Sequence, residues 1–218
     1  MSRKTLIRSS CLPYHVTARV NNKECFHLPL ETVWKVFDYH LFEIKLLFDV
    51  HIHAFVVMPN HIHLLITTPC EDLGIVMHTF IGSATRTINL KSGRSGRVFG
   101  ARYHWTIIDS EVYFSHALKY VYRNPVKANL CEAVEQYQYS SLQGLLGFQH
   151  ISFPLYFPFE KRAFEFTPKE IRDQLLWLNA SFLPEHEREV SRTLKKTTFF
   201  PPQRGWKGPL RALHSELI

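Results

Sequence analysis

The spacing of hydrophobic and polar positions along the chain first predicts two helices. Between residues 31 and 48, apolar side chains recur three and four positions apart, which is typical of an amphipathic helix. Residues 73–90 repeat this spacing, and the Ser- and Gly-rich stretch 92–96 predicts the end of that second helix. We therefore expect two helices, each with one face buried.

Four further segments have the character of strands. Residues 49–58 and 61–67 are apolar runs on either side of Pro59-Asn60, a turn signal, so they predict an antiparallel hairpin. Residues 12–20 are β-prone and predict a strand before the first helix, and residues 103–108 predict another after the second helix. The resulting order is strand, helix, strand, strand, helix, strand.

This βαββαβ order predicts an α+β protein with a ferredoxin-like sandwich fold. In that fold two helices cover one face of a four-stranded antiparallel sheet, and the first and third strands are central. The other face stays open, so side chains of the third strand that point there are available for chemistry.

A third helix follows the last strand. Asp109 or Ser110 is a suitable N-cap, and Pro125 predicts that the helix ends at Asn124, because proline disfavours helical geometry in the residue before it. Tyr120 and Asn124 are four positions apart and share a helix face, whereas Tyr122 points about 200° away from Tyr120. We expect this helix to lie against the open face of the sheet.

Residues 1–147 are predicted to form the main domain and residues 148–218 a basic, mostly helical C-terminal extension. Helices are expected at 167–179 and 185–196. Two interpretations of the extension remain open: it clamps a nucleic acid beside the site, or it packs on the flank of the domain. Its basic residues include Lys195, Lys196, Arg204, Lys207 and Arg211.

Two histidines stand two residues apart in the second strand of the hairpin. Because strand side chains alternate between faces, His61 and His63 point the same way, which provides half of a metal site. The chain has 13 histidines, so packing or a surface pair remains an alternative. A second pair, His51 and His53, is expected to be sheet packing.

The net charge of the chain indicates what kind of molecule it binds. The net charge is +7 and the isoelectric point is near 9.3, which favours a polyanion. From residue 73 to residue 108 there is no acidic side chain, and Phe99, Tyr103 and Trp105 lie among or beside the basic ones, an arrangement that suits unpaired bases. A solvated helix face and loop is the alternative. The basic residues of this stretch are Arg86, Lys91, Arg94, Arg97 and Arg102.

The spacing of the cysteines and the length of the apolar runs indicate where in the cell the protein is expected. The four cysteines show no Cys-x-x-Cys spacing, so neither a disulfide framework nor a zinc knuckle is indicated. No apolar run approaches the roughly 18 residues of a membrane span. We expect a cytoplasmic protein with no membrane association.

Several short motifs together resemble one family. They are His61-Ile62-His63 after Met58-Pro59-Asn60, the run Tyr120 to Ala128, Pro13 to Thr17, Arg102-Tyr103, and Tyr139-Ser140-Ser141. The combination resembles the REP-associated tyrosine transposases, which belong to the single-tyrosine, IS200-like branch of the HUH superfamily. The resemblance covers about residues 10–147. One departure is Asn129, which stands where a glycine is expected, at a position where left-handed backbone geometry is expected.

The resemblance implies a specific reaction and site. Tyr120 would be the nucleophile that attacks single-stranded DNA, giving a 5′-phosphotyrosine link and a free 3′-OH. His61, His63 and Asn124 would hold Mg²⁺, with Mn²⁺ as a substitute. The substrate would be a hairpin formed by a palindromic repeat, contacted by the basic residues of the acid-free stretch and by Tyr103.

Two other functions remain open. The first is a non-catalytic, domesticated binder of single-stranded nucleic acid, and the second is a different metal-dependent hydrolase built on the histidine pair. The link from Ile108 to Asp109 is so short that the tyrosine helix is expected to stay in its own subunit, which favours a monomer over a homodimer.

Overall fold

A four-stranded antiparallel sheet in the order β2-β3-β1-β4 is the centre of the structure. It is described here from a computed structural model that covers residues 6–156 and 170–198. The elements are β1 Tyr14–Arg19, α1 Leu30–Phe48, β2 His51–Met58, β3 His61–Thr67, α2 Leu73–Ser92, β4 His104–Ile107, α3 Glu111–Lys127, α4 Leu142–Leu145, α5 Ile171–Asn179 and α6 Pro184–Thr193. The predicted βαββαβ order and the central position of β1 and β3 are confirmed, and the chain has the ferredoxin-like fold.

Helices α1 and α2 cover one face of the sheet. The apolar positions of α1, among them Phe37 and Leu41, are fully buried against Phe55 of β2 and Phe80 of α2. The Phe37 ring centroid lies 5.7 Å from that of Phe55 and 5.7 Å from that of Phe80. This aromatic cluster fixes the helix layer, and side chains at alternate strand positions therefore point to the opposite face.

Helix α3 packs on that opposite face. It begins after Ser110, whose hydroxyl oxygen accepts a hydrogen bond from the backbone N–H of Tyr113 at 3.2 Å, as an N-cap does. Phe114 and Val121 of α3 are buried against Val56 of β2. The sheet is thus covered on both sides, and α3 covers the second face.

The prediction that α3 ends at Asn124 is wrong. The helix continues to Lys127 with Pro125 inside it. Proline removes only one backbone donor, and the carbonyl groups that follow stay hydrogen-bonded: the N–H of Ala128 donates to the carbonyl of Asn124 and that of Leu130 to the carbonyl of Pro125, each at 3.0 Å. Asn129 follows with a φ of 55°, the left-handed geometry expected at that position.

The C-terminal extension packs on α3 through a row of three basic side chains. Lys119 is buried, and its ammonium lies 5.2 Å from the ring centroid of Trp177 and 5.1 Å from that of Phe182. One turn later, Arg123 donates hydrogen bonds to the carbonyl oxygens at the end of α5, and Lys127 lies 3.2 Å from Glu187 of α6. The extension therefore fixes α3 from the side opposite the sheet.

The helices predicted in the extension are confirmed with shorter bounds. Helix α5 is Ile171–Asn179 and α6 is Pro184–Thr193, whereas Lys195 and Lys196 follow α6. Residues 167–169 of the first predicted helix, and the basic residues Arg204, Lys207 and Arg211, lie outside the described residues. The four cysteines are free thiols. Among the helices of the described ranges, none combines the length and the apolar character needed to cross a lipid bilayer.

Candidate active site

A cavity of about 500 Å³ lies between the sheet and α3. It brings together the four side chains that the sequence singled out for chemistry: His61 and His63 of β3, and Tyr120 and Asn124 of α3. The remaining lining residues are His15, Thr17, Arg19, Met58, His104, Lys127, Ala128, Ser191, Leu194 and Lys195. Residues from the sheet, the tyrosine helix and the extension thus meet at one place.

Strand register explains how the histidines reach the cavity. In the pairing of β1 with β3, Thr17 lies opposite His63 and Arg19 lies opposite His61. Odd-numbered positions of both strands share the face that α3 covers, whereas their neighbours, such as Ile62, are buried in the helix layer on the other face. The predicted orientation of the histidine pair is confirmed.

The proton of the His61 ring is placed by Asn60. The Asn60 side-chain nitrogen donates to the carbonyl oxygen of Lys23 at 3.1 Å, so the side-chain oxygen is the atom that faces His61. That oxygen lies 2.6 Å from His61 Nδ1 and can only accept a hydrogen bond. His61 therefore carries its proton on Nδ1, and its Nε2 lone pair is left for another partner.

His63 is paired with a histidine of the neighbouring strand. His15 Nε2 lies 3.0 Å from His63 Nδ1, and the two rings are nearly parallel with centroids 5.2 Å apart. The other nitrogens, His15 Nδ1 and His63 Nε2, are buried and have no hydrogen-bond partner. The ring of His61 is 4.9 Å from that of His63, so three imidazoles lie side by side.

Tyr120 stands over these imidazoles. Its ring centroid lies 5.8 Å from that of His63 and 6.0 Å from that of His15, both in edge-to-face orientation. One turn along α3, the Asn124 side-chain nitrogen donates to the backbone carbonyl of Tyr120 at 2.7 Å. The Asn124 side-chain oxygen takes no part in that bond. Asn124 is not a helix C-cap, because the helix continues to Lys127.

Burial keeps the imidazoles of the site neutral. It lowers the pKa of His15 to about 3 and that of His61 to about 4, and nearby positive charge adds to the effect. The pKa of His63 falls well below its ordinary value for the same reason, with His15 and His61 contributing. Neutral rings at pH 7 are what a cation ligand requires, because protonation would occupy the lone pair.

The donor atoms at the cavity suit a divalent cation that keeps open positions. In the described part of the chain no group of three His, Cys, Asp or Glu side chains has a metal-binding arrangement. A cation held by the two histidines would therefore take a third donor of another type, and the Asn124 side-chain oxygen is such a donor in the same cavity. Two neutral imidazoles and a neutral oxygen add no negative charge, so an anionic substrate would complete the coordination.

The walls of the cavity are electropositive. Three lining residues are basic, namely Arg19 of β1, Lys127 of α3 and Lys195 after α6. Among the described residues that line the cavity, none is acidic. Such a wall attracts the negatively charged phosphate groups of a nucleic acid.

A second basic cavity adjoins the first. It has a volume of about 550 Å³ and shares Thr17, Arg19 and His104 with the site. Its other basic residues are Lys23 and Arg102, and the turn 21–23 has two left-handed non-glycine residues, one of them Lys23 with a φ of 61°. Such backbone conformations cost about 1 kcal/mol or more each, and they cluster at binding sites.

Of the residues predicted to contact DNA, only Arg102 lines either of these two cavities. Arg86 and Lys91 belong to α2, in the helix layer on the other face of the sheet. Arg94 and Arg97 are exposed in the loop that follows α2. Tyr103 packs against the core beneath the Arg102 guanidinium, which lies 5.6 Å from its ring centroid. Their roles in DNA binding stay predictions.

Tyr122, two residues after the proposed nucleophile position in α3, points away from Tyr120. Tyr122 is buried with its hydroxyl 3.1 Å from Ser141 Oγ, and burial raises its pKa. This confirms that it does not share a face with Tyr120.

In β2, His53 is buried between the carbonyl of Tyr156 and the hydroxyl of Thr67, which agrees with its interpretation as sheet packing.

Sequence reasoning missed His15, Asn60 and Lys195 as members or supports of the site. His15 lies within a quoted motif, but its partner His63 is 48 residues away, and a pairing register was needed to find the contact. Asn60 is next to His61 in sequence, but the orientation of its amide depends on the carbonyl of Lys23, 37 residues away. Lys195 reaches the cavity only because α6 packs on α3.

Comparisons with known proteins identify one family and two similar structures. A family model described as "Transposase IS200 like" matches residues 9–124. Among solved structures, the chain is similar to a REP-associated tyrosine transposase bound to a REP hairpin, with 21% identity, a TM-score of 0.58, and coverage of 71% of this chain and 92% of that one. A second similar structure is an inferred transposase from Deinococcus radiodurans R1, with 16% identity, a TM-score of 0.38, and coverage of 56% and 95% respectively. No curated protein sequence matches the chain.

Proposed function

This chain belongs to the IS200-like transposase family, and on that premise we propose that it nicks and rejoins single-stranded DNA through a phosphotyrosine link. The observation that carries the proposal is the convergence of Tyr120, His61, His63 and Asn124 on one electropositive cavity. These side chains come from a central strand and from a helix almost 60 residues later in the chain. Core packing alone gives no reason for such a set of polar groups to meet.

Tyr120 is the proposed nucleophile. Its phenolic oxygen attacks a backbone phosphorus, a Tyr–O–P bond forms to the 5′ phosphate of the downstream strand, and the bond from phosphorus to the 3′ oxygen of the upstream strand breaks. The phenol proton goes, over the whole step, to the departing 3′ oxygen. Because one phosphoester replaces another, the reverse attack by a 3′-OH reseals the strand, which suits transfer rather than hydrolysis.

His61, His63 and Asn124 are the proposed cation ligands, with Mg²⁺ or Mn²⁺ as the ion. When bound, the cation supplies charge compensation for the scissile phosphate. The protein contributes pre-set donors: Asn60 fixes the His61 proton on Nδ1, and burial keeps the rings neutral. Because the protein donors carry no net charge, we expect DNA to raise the affinity for the cation.

The basic residues of the cavity wall have a separate role. We propose that Arg19, Lys127 and Lys195, which line the cavity, bind phosphate oxygens near the break. The adjoining cavity, with Lys23 and Arg102, extends the same basic surface along the end of β1. We propose that the strand leading to the scissile phosphate runs through both. Hairpin DNA is the proposed substrate, since the similar REP-associated transposase was solved bound to a REP hairpin.

We further propose that one subunit suffices for the reaction. Helix α3 follows β4 after a short link and packs on β2 of its own sheet. Its basic row is bound by the extension of the same chain, through Trp177, Phe182 and Glu187. The four side chains of the proposed site therefore come from one chain.

A labelled single-stranded hairpin incubated with the protein and Mg²⁺, and then run on a denaturing gel, tests the function. The proposal predicts a protein-linked fragment and a free 3′-OH fragment, both absent with EDTA. Tyr120→Phe should give no adduct, and Tyr122→Phe, which changes the neighbouring buried tyrosine, should still give one.

The same gel separates the alternatives. A non-catalytic nucleic-acid binder would shift the hairpin on a native gel but leave it intact under denaturing conditions. A metal-dependent hydrolase would release free fragments with no protein attached, and Tyr120→Phe would not stop it. Either result would overturn the proposal.

A further inference from the structure

His15 and His63 form a buried imidazole pair whose protons can be arranged in two ways. Their facing nitrogens, His15 Nε2 and His63 Nδ1, lie 3.0 Å apart, so one proton lies between them. A neutral imidazole carries a single proton. The choice of donor at this contact therefore decides which atoms of the pair keep a free lone pair.

If His15 donates, His63 must carry its own proton on Nε2, and it cannot bind a cation through that atom. If His63 donates from Nδ1, its Nε2 keeps a lone pair, and His15 carries a proton on Nδ1. His63 Nε2 is buried without a hydrogen-bond partner, which leaves it available to a cation. Only the second arrangement is compatible with cation binding through this nitrogen.

We propose that His15 is a positioning residue that accepts the Nδ1 proton of His63 and thereby directs the His63 Nε2 lone pair to the cation. This inference rests on the proposed cation site. It gives His15 the role that Asn60 has for His61, whose Nδ1 lies 2.6 Å from the Asn60 side-chain oxygen. Each imidazole ligand then has its own acceptor behind it.

The geometry also holds the His63 ring in place. The two rings are inclined by only 14°, and Tyr120 packs edge-on against both, at 6.0 Å from His15 and 5.8 Å from His63. His15 is fully buried on β1, so its ring cannot turn without displacing these neighbours. Loss of the His15 acceptor would therefore affect both the proton and the orientation of His63.

The first test measures Mn²⁺ affinity by isothermal titration or by electron paramagnetic resonance, without DNA and without any reaction. His15→Phe keeps a planar ring but has no acceptor, and it should weaken Mn²⁺ binding about 10- to 100-fold. His15→Gln places a side-chain oxygen near the position of Nε2 and should recover most of the affinity. His53→Phe is the matched control, because it removes another buried imidazole of the sheet, at the end of β2 far from His61.

The second test locates the protons directly. In ¹⁵N-histidine spectra with saturating Mg²⁺, His63 should show a protonated Nδ1, and an internitrogen coupling should link it to His15 Nε2. Circular dichroism and hairpin binding in EDTA check that each variant folds. If His15→Phe does not fold, His15→Gln and the wild-type spectra still decide the question.

The outcomes separate this inference from the proposed function. Unchanged Mn²⁺ affinity in His15→Phe, or a His63 proton on Nε2 under saturating Mg²⁺, would overturn the inference and leave the cation site standing. Weak binding in both His15 variants would show that His15 itself is a ligand, which also overturns it. Failure of the wild-type protein to bind Mn²⁺ would overturn the cation site and the inference together.

Discussion

Acidification to pH 5 is predicted to remove much of the stability of the folded chain, because several buried histidines are neutral in it. Burial lowers the pKa from 6.5 to about 3 for His15 and His116 and to about 4 for His53. The unfolded chain therefore binds more protons than the folded one below pH 6.5, so the stability present above that pH is lost as pH falls.

The loss of stability expected on acidification is large. Between pH 6.5 and about pH 4 each of these groups costs roughly 1.4 kcal/mol per pH unit, or about 2 kcal/mol at pH 5. The three together cost about 6 kcal/mol, and His61 and His63 of the site shift in the same direction. Domains have a free energy of unfolding of about 5–15 kcal/mol, so a loss of this size at pH 5 is a large share of the whole stability.

Urea denaturation followed by circular dichroism at pH 7, 6, 5.5 and 5, in EDTA, measures the effect. The slope of the unfolding free energy against pH should reach at least about 4 kcal/mol per unit. His116→Phe, which removes the buried imidazole beside Phe182, should lower that slope by about 1.4 kcal/mol per unit. A free energy that stays flat between pH 6.5 and 5 would refute the reasoning.

The site and its supports give three more predictions. Asn60→Ala should weaken Mn²⁺ binding about 10- to 100-fold in a titration, because His61 loses the acceptor that fixes its proton. Lys119→Met should raise the free energy of unfolding at pH 7 by about 2 kcal/mol, measured in urea. Burial lowers the Lys119 pKa to about 8, so keeping the charged side chain buried costs the folded state roughly 3 kcal/mol. The contacts of its ammonium with two aromatic rings offset only part of that cost. That gain should shrink as pH rises from 8 towards 10.5, and a loss of stability would contradict it. Arg102→Ala should reduce the slope of log binding constant against log salt concentration for hairpin DNA by about one. Arg86→Ala, which changes a residue of the helix layer on the other face of the sheet, should change that slope less.

Much of the fold could be predicted because its signals are local. The amphipathic spacing of α1, the Pro59-Asn60 turn of the hairpin and the Ser110 cap of α3 each lie within a few residues of what they determine. The end of α3 was predicted wrongly for a physical reason as well. Pro125 stands in the last turn, where few backbone bonds remain to be broken, so packing of α3 on the sheet and the extension outweighs the local preference.

The members of the site were predictable only in part. Strand alternation pairs His61 with His63, and the four-residue spacing on a helix pairs Tyr120 with Asn124, so both pairs follow from sequence alone. The contact of His15 with His63 depends instead on the register of two strands, which no local pattern encodes. The position of Lys195 depends in the same way on how the extension docks against α3.

The most direct test of the central claim is to locate the covalent link by mass spectrometry. Protein incubated with hairpin DNA and Mg²⁺ is denatured and digested with nuclease and protease, and the peptides of α3 are sequenced by fragmentation. The account predicts a nucleotide joined through its 5′ phosphate to the oxygen of Tyr120. A link on Tyr113 or Tyr122, or cleaved DNA with no modified peptide, would contradict it.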